Sequence, residues 1–188
     1  MAHIPLTQLW LPILLSAICV FVASSLIHMA VRWHNSDYRP LANEDEVRAA
    51  ILKGSPTPGQ YVLPHCGDHS RMREPEMLKK FEEGPLGLLY LRAPGVPTLG
   101  PSLGGWFLFN VVLSFCIAYL LSRTLGPGTP RLQVFRVAAT ICFLIHAGGA
   151  MPAAIWMGKP WRVVLKEAAD GLLYGLATGA AFSWLWPR

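Results

Sequence analysis

From Leu9 to Val31 the chain reads LWLPILLSAICVFVASSLIHMAV, with no formally charged residue. A hydrocarbon core of about 30 Å takes roughly 20 helical residues to cross, so this stretch is long enough by itself. It exceeds the roughly 7–15 residues of a signal-peptide core, and no basic cluster precedes it. It reads as a retained transmembrane anchor.

Three further apolar runs follow, from Leu103 to Ser122, Leu132 to Met157 and Val163 to Trp186. Backbone groups in lipid must be satisfied within the segment, which makes helices the expected form. The expected fold is therefore all-α transmembrane, a four-helix membrane bundle with a small α+β extramembrane insert between helices 1 and 2. Residues 1–32 form the first helix, 33–102 the insert, and 103–188 helices 2–4. Arg123 to Arg131, with Gly126-Pro127-Gly128, and Gly158-Lys159-Pro160 read as short turns. Such turns place helices 2, 3 and 4 beside one another as antiparallel neighbours.

Composition agrees with a partly lipid environment. Of 188 residues, 53% are hydrophobic and 14% charged, against about a quarter charged in soluble domains. The charges crowd between Trp33 and Arg92. All seven tryptophans (Trp10, Trp33, Trp106, Trp156, Trp161, Trp184 and Trp186) lie near the end of an apolar run, the distribution an interfacial indole belt produces.

A net charge of +5 is not a nucleic-acid footprint, because acidic and basic residues nearly balance in the insert and leave no basic patch. Cys19, Cys116 and Cys142 fall in apolar runs and Cys66 stands alone in the insert, so no disulfide framework is implied. Arg32, Arg39, Arg92, Lys159, Arg162 and Lys166 outnumber the basic residues at the opposite helix ends. The positive-inside bias thus places the insert in the cytoplasm.

Within the insert, Asn43 is a candidate cap for a helix from Glu44 to Lys53, closed by Gly54. Gln60–Leu63 and Leu86–Arg92 read as strands, and Glu74–Glu83 as a second helix with Pro75 in its first turn. About sixty residues is marginal for independent stability. The insert is expected to rest on the bundle with Leu88, Leu89 and Leu91 partly buried.

Polar residues inside apolar runs are costly and usually face a bundle interior or cavity. At about 1.5 Å per residue, His28, Asn110 and Asp170 fall in the insert-side half of their helices and His146 nearer the middle. Together they define an intramembrane polar pocket, with His34 and Asp37 at its rim. Such a pocket suits a metal ion, a proton or a small polar ligand; interhelical hydrogen bonds that fix packing explain the same residues. The unequal depths of His28 and His146 argue against haem.

His65, Cys66 and His69 have a spacing that a transition metal uses, but no second Cys/His pair completes the set, and a solvated loop explains them equally. Gly171, Gly175 and Gly179 form a stripe that permits close helix approach, either within the bundle or toward another copy. No phosphate loop, nucleophile elbow or zincin motif occurs, and no catalytic residue is assigned.

Trp33-His34-Asn35-Ser36-Asp37-Tyr38, Gly84-Pro85, Asp170-Gly171 and Trp184-Leu185-Trp186-Pro187 resemble segments of uncharacterised bacterial small multi-pass membrane proteins. The resemblance implies an integral protein of a bacterial inner membrane and no defined activity. The leading expectation is a non-enzymatic accessory or structural component. It meets lipid, and a protein partner or another copy through the glycine stripe and the insert. The alternative is a binding or transport protein using the pocket of His28, Asn110, His146 and Asp170. A third reading is a metal-dependent membrane enzyme using His34, Asp37 and His65.

Overall fold

A computed structural model describes residues 3–188; the first two residues of the segment read as helix 1 lie outside the described residues. In chain order the elements are α1 (Trp10–Ser25), α2 (Glu44–Lys53), β1 (Gly59–Leu63), α3 (Pro75–Glu83), β2 (Gly87–Leu91), α4 (Leu99–Thr124), α5 (Arg131–Gly148), α6 (Met151–Met157) and α7 (Trp161–Trp184). They fall into two compact units. One comprises the residues up to Tyr38 together with Thr98–Arg188, and the other Arg39–Pro97. The second unit is shorter at both ends than the insert read from sequence, because Trp33–Asp37 belongs with the helices.

Among the described residues, three helical stretches are long and apolar enough to cross a membrane: Leu6–Val31, Leu99–Thr124 and Arg131–Met157. The first prolongs α1 with a π-helical segment, Leu26–Val31. The third combines α5 and α6, which are separated at Gly149-Ala150 just before Pro152. α7 is 24 residues long, but Arg162, Lys166, Glu167 and Asp170 occupy its first half. The expected bundle of four membrane-crossing helices is thus three such helices and a fourth whose opening turns are charged.

The helices pack in the order α4–α1–α7–α5, and α4 touches α5 only lightly despite the short loop joining them. The expected side-by-side order of helices 2, 3 and 4 therefore holds for α5 with α7, whereas α1 lies between α4 and α7. Small side chains decide this. The buried face of α1 carries Ser16, Ala17 and Ser24, so it fits between two neighbours.

On α7, a Cβ added to Gly175 would lie 2.7 Å from the Ala139 carbonyl, and one on Gly179 2.9 Å from the Phe135 carbonyl. One on Gly171 would lie 3.1 Å from Ala147 N and 3.2 Å from His146 Cβ. The glycine stripe is filled by the chain's own α5, so a seam for another copy along it is not open. One hydrogen-bond chain crosses all four helices in their packing order. Ser114 donates to Ser16 at 3.1 Å, Ser16 to Thr178 at 3.1 Å, and Thr178 to Cys142 Sγ at 3.3 Å.

The tryptophans divide into two sets. Trp10, Trp156, Trp161 and Trp184 are more than half exposed, as lipid-interface indoles would be. Trp33 and Trp106 pack against the core, and Trp186 is buried and donates to the Gly126 carbonyl at 3.1 Å. Four of the seven thus have the exposure that such a belt requires.

In the second unit β1 and β2 pair antiparallel, from Gly59 opposite Leu91 to Leu63 opposite Gly87. Leu88, Leu89 and Leu91 are half-buried, and no residue from Arg39 to Pro97 is fully buried. Asn43 precedes α2 as expected, but its side chain donates to Glu46 at 3.5 Å instead of capping the backbone.

Candidate functional site

At the helix ends nearest the departure of the chain into the insert, α1, α4, α5 and α7 enclose a cavity of about 440 Å³. His28, His146 and Asp170 line it. Asn110, assigned to the same pocket from sequence, does not. It is 2% exposed, and its Nδ2 donates to the Trp106 carbonyl one turn earlier at 2.8 Å. Its role is to fix α4.

The walls are amphipathic. Met29, Leu99, Leu103 and Trp106 supply apolar surface, while Ser24, Ser25, Ser102 and Glu167 are polar. Trp106 is oriented by donating from Nε1 to Ser24 Oγ at 2.8 Å. His146 sits among aromatic rings, with the centroids of Tyr174 at 5.1 Å, Trp106 at 5.8 Å and Phe109 at 5.9 Å. Its buried Nε2 has no hydrogen-bond partner among the described residues. Asp170, 4% exposed, likewise leaves Oδ1 without a partner among the described residues. Unsatisfied buried polar atoms cost about 1–3 kcal/mol each, so two on one cavity wall call for an explanation. Glu167 is different, since Lys159 holds it at 2.5 Å.

The rim is a short hook. After the π-helical segment, Arg32 adopts a left-handed conformation (φ 55°) and turns the chain. Trp33–Asp37 then forms a 3-10 turn held down by α7. Lys166 Nζ donates to the Trp33 carbonyl at 2.7 Å, Ser36 Oγ at 2.8 Å and Asp37 Oδ1 at 2.7 Å. Arg162 Nη2 reaches the Ser36 carbonyl at 3.1 Å. Arg162, Lys166 and Asp170 recur at i, i+4 and i+8, one face of a helix. That spacing is the signal in the sequence for this contact, beyond the charge bias in which Arg162 and Lys166 were counted.

His34 is thereby set between two carboxylates, with Nδ1 2.8 Å from Asp37 Oδ2 and Nε2 2.7 Å from Asp170 Oδ2. Its ring stacks on His28 at 4.8 Å between centroids. Carboxylates only accept, so filling both bonds needs an N–H on each nitrogen of His34, the imidazolium form. Lys166 supplies the second positive charge against Asp37 and Asp170. The hydrogen bond from Lys166, reinforced by His34, holds the Asp37 carboxyl below the usual carboxylate range, with burial working the other way.

Among the described residues, one group of three potential metal ligands has its donor atoms within 4.8 Å of one another: His28, His34 and Asp170. His65, Cys66 and His69 are not brought together in this way. Cys66 donates to the Asp68 carbonyl at 3.1 Å, and His69 Nδ1 meets Met72 Sδ at 3.2 Å. His65 lines a depression on the insert with Cys66, Asp68 and Arg71.

Sequence reasoning reached His28, His146, Asp170, His34 and Asp37. It missed Ser24, Trp106 and Tyr174 as cavity walls; Ser24 one turn before His28 and Trp106 one turn before Asn110 were the available signal. No protein-family model, no curated protein and no solved structure matches the chain, so the chemistry of this site rests on its own residues.

Proposed function

We propose that this chain is a four-span integral membrane protein that holds a small amphiphilic ligand in the cavity beside His28, His146 and Asp170. The supporting observation is that two buried polar atoms without partners among the described residues, His146 Nε2 and Asp170 Oδ1, line a cavity whose walls are amphipathic. Ligand pockets commonly combine apolar walls with a few convergent polar groups. Asp170 Oδ1 selects a head group that donates a hydrogen bond, while Leu99, Leu103 and Met29 suit a short apolar tail.

The fourth span is supported by the outward face of α7, where Leu165, Leu172, Leu173 and Leu176 are all exposed. Of the charges that lower its hydropathy, Asp170 is buried, Lys166 and Glu167 are half-buried and paired, and exposed Arg162 lies in the opening turn. Paired charges at a helix end cost far less in lipid than free ones. Reporters on the two termini should therefore map to the same side of the membrane; opposite sides would remove α7 from the spans. Of the two contacts expected for an accessory role, the glycine stripe and the insert, the stripe is covered by α5.

The binding reading is tested with hexylamine, an ammonium head on a short tail, titrated against the protein in mild detergent after chelator treatment. Binding to the folded state raises the midpoint of thermal unfolding in a saturable way. Leu103→Trp, which fills the cavity from a partly exposed position, abolishes the response without lowering the starting midpoint. An unsaturable rise, or one equal in Leu103→Trp, would show partition into the micelle and defeat the proposal.

A further inference from the structure

The arrangement around His34 resembles a metal centre's outer shell more closely than a simple ion-pair cluster. We infer that His28 Nε2, His34 Nε2 and the Asp170 carboxylate bind one divalent transition-metal ion of the zinc class at the edge of the cavity. This deepens the ligand-binding reading of the same cavity and rests on it only for the space into which the remaining coordination position opens.

The orientation of both imidazoles carries the inference. His28 donates from Nδ1 to the Ser24 carbonyl at 2.9 Å. A carbonyl only accepts, so the proton lies on Nδ1 and the neutral ring offers a lone pair at Nε2. His34 directs Nδ1 to Asp37 at 2.8 Å, leaving Nε2 toward Asp170. Metal-bound histidines are held in this way, with the far ring nitrogen donating to a backbone carbonyl or a carboxylate. Here one histidine has each kind of partner. Asp37 is itself fixed by Lys166 at 2.7 Å, so the outer shell is anchored in turn.

Asp170 supplies the second, independent indication. Its side chain is buried, and Oδ1 has no partner among the described residues, although Oδ2 meets His34 at 2.7 Å. Two imidazoles and one carboxylate, with a position left for water or ligand, are an established ligand set for zinc and for ferrous iron. Bonds of about 2.0–2.1 Å in a tetrahedral site space the ligand atoms by about 3.3 Å. An ion entering here spreads the His34–Asp170 pair slightly and draws His28 inward. It also takes the place of the proton on His34 Nε2, and that proton leaves to solvent. His28 is exposed and bonds only along its own helix, so its ring is free to turn out of the stack on His34 toward the ion.

The test uses the full chain in mild detergent, stripped with a chelator and titrated with Co²⁺ and then Zn²⁺. The expected result is one ion per chain, with the visible Co²⁺ bands of a four- or five-coordinate site lost on Zn²⁺ addition. His28→Gln keeps the helix intact and weakens binding by more than the roughly 10–100-fold that loss of an outer-shell partner costs. Asp37→Asn falls within that 10–100-fold range and leaves the Co²⁺ bands in place, a signature that mere loosening of the hook would not preserve. Cys66→Ser and His69→Ala change nothing.

Substoichiometric binding, binding indifferent to His28→Gln, or binding lost in Cys66→Ser would overturn the assignment. The hexylamine response is measured on metal-free protein, so it fails or succeeds separately. An amine response without metal binding sinks the metal site alone, and metal binding without an amine response sinks the amphiphile reading alone.

Discussion

Gly175 shows how much one missing methyl group decides. In an exposed helix interior, replacing glycine by alanine gains about 1 kcal/mol. At Gly175 the added Cβ would sit 2.7 Å from the Ala139 carbonyl of α5, and overpacking of this kind costs about 1–3 kcal/mol. The backbone oxygen cannot rotate away as a side chain can, so the clash wins. Gly175→Ala should lower the thermal midpoint in detergent, while Gly104→Ala, whose Cβ meets nothing within 4 Å, should leave it level or raise it.

A second residue-scale prediction concerns Asp68. The Ser70 hydroxyl first, and then its backbone N–H at 2.8 Å, hold the Asp68 carboxyl below its ordinary value. A depressed carboxylate contributes stability at neutral pH, and the contribution disappears as pH falls below the ordinary carboxylate range and through the folded-state value. Ser70→Ala should move the Asp68 midpoint upward, read by carboxyl NMR, while the remaining N–H keeps part of the depression.

Between elements, the chain from Ser114 through Ser16 and Thr178 to Cys142 joins four helices with three weak bonds. Measured interhelical hydrogen bonds in membranes average about 0.6 kcal/mol, with a maximum near 1.7. Thr178→Val, close in shape, should therefore cost less than Gly175→Ala, in a thermal comparison of the two variants. Close approach along the glycines holds α5 to α7, and the hydroxyls fix the rotation of each helix about its axis.

Much of this scale was legible in the residues. The apolar runs fixed where helices lie, and counting rise per residue brings His28 and Asp170 to one end, with His146 deeper. What stayed hidden depends on lateral order. Nothing in the local pattern of α1 says that it separates α4 from α7, so Asn110 was placed in the pocket and Ser24 was left out. Lys166 was read as an interfacial charge, since its partners at Trp33, Ser36 and Asp37 lie more than a hundred residues away in sequence.

For the molecule as a whole, the two compact units differ in what holds them. The helical unit has a continuous buried cluster running from Ile4 to Trp186, while none of Arg39–Pro97 is fully buried. Local opening is easiest where few apolar contacts are lost. Amide exchange should accordingly be faster in α2, α3 and the β1–β2 pair than in α7. Limited proteolysis should cut first between Arg39 and Pro97 and leave the helices associated; equal protection in both units would contradict this.

The π-helical segment at the end of α1 has a consequence for how the site tolerates change in chain length. A turn of this kind accommodates one residue more than the α-helix around it, as the bond from Arg32 N to the Ile27 carbonyl shows. Removing one residue inside Leu26–Val31 would only restore regular winding, since the turn already absorbs it. Removing one from the regular turns of α1 instead would shorten the rod by about 1.5 Å. It would also swing everything downstream through about 100°, carrying His34 off Asp170 while leaving an uninterrupted apolar helix. An indel of one residue in those turns, harmless to hydrophobic length, would thus dismantle the binding site by rotation.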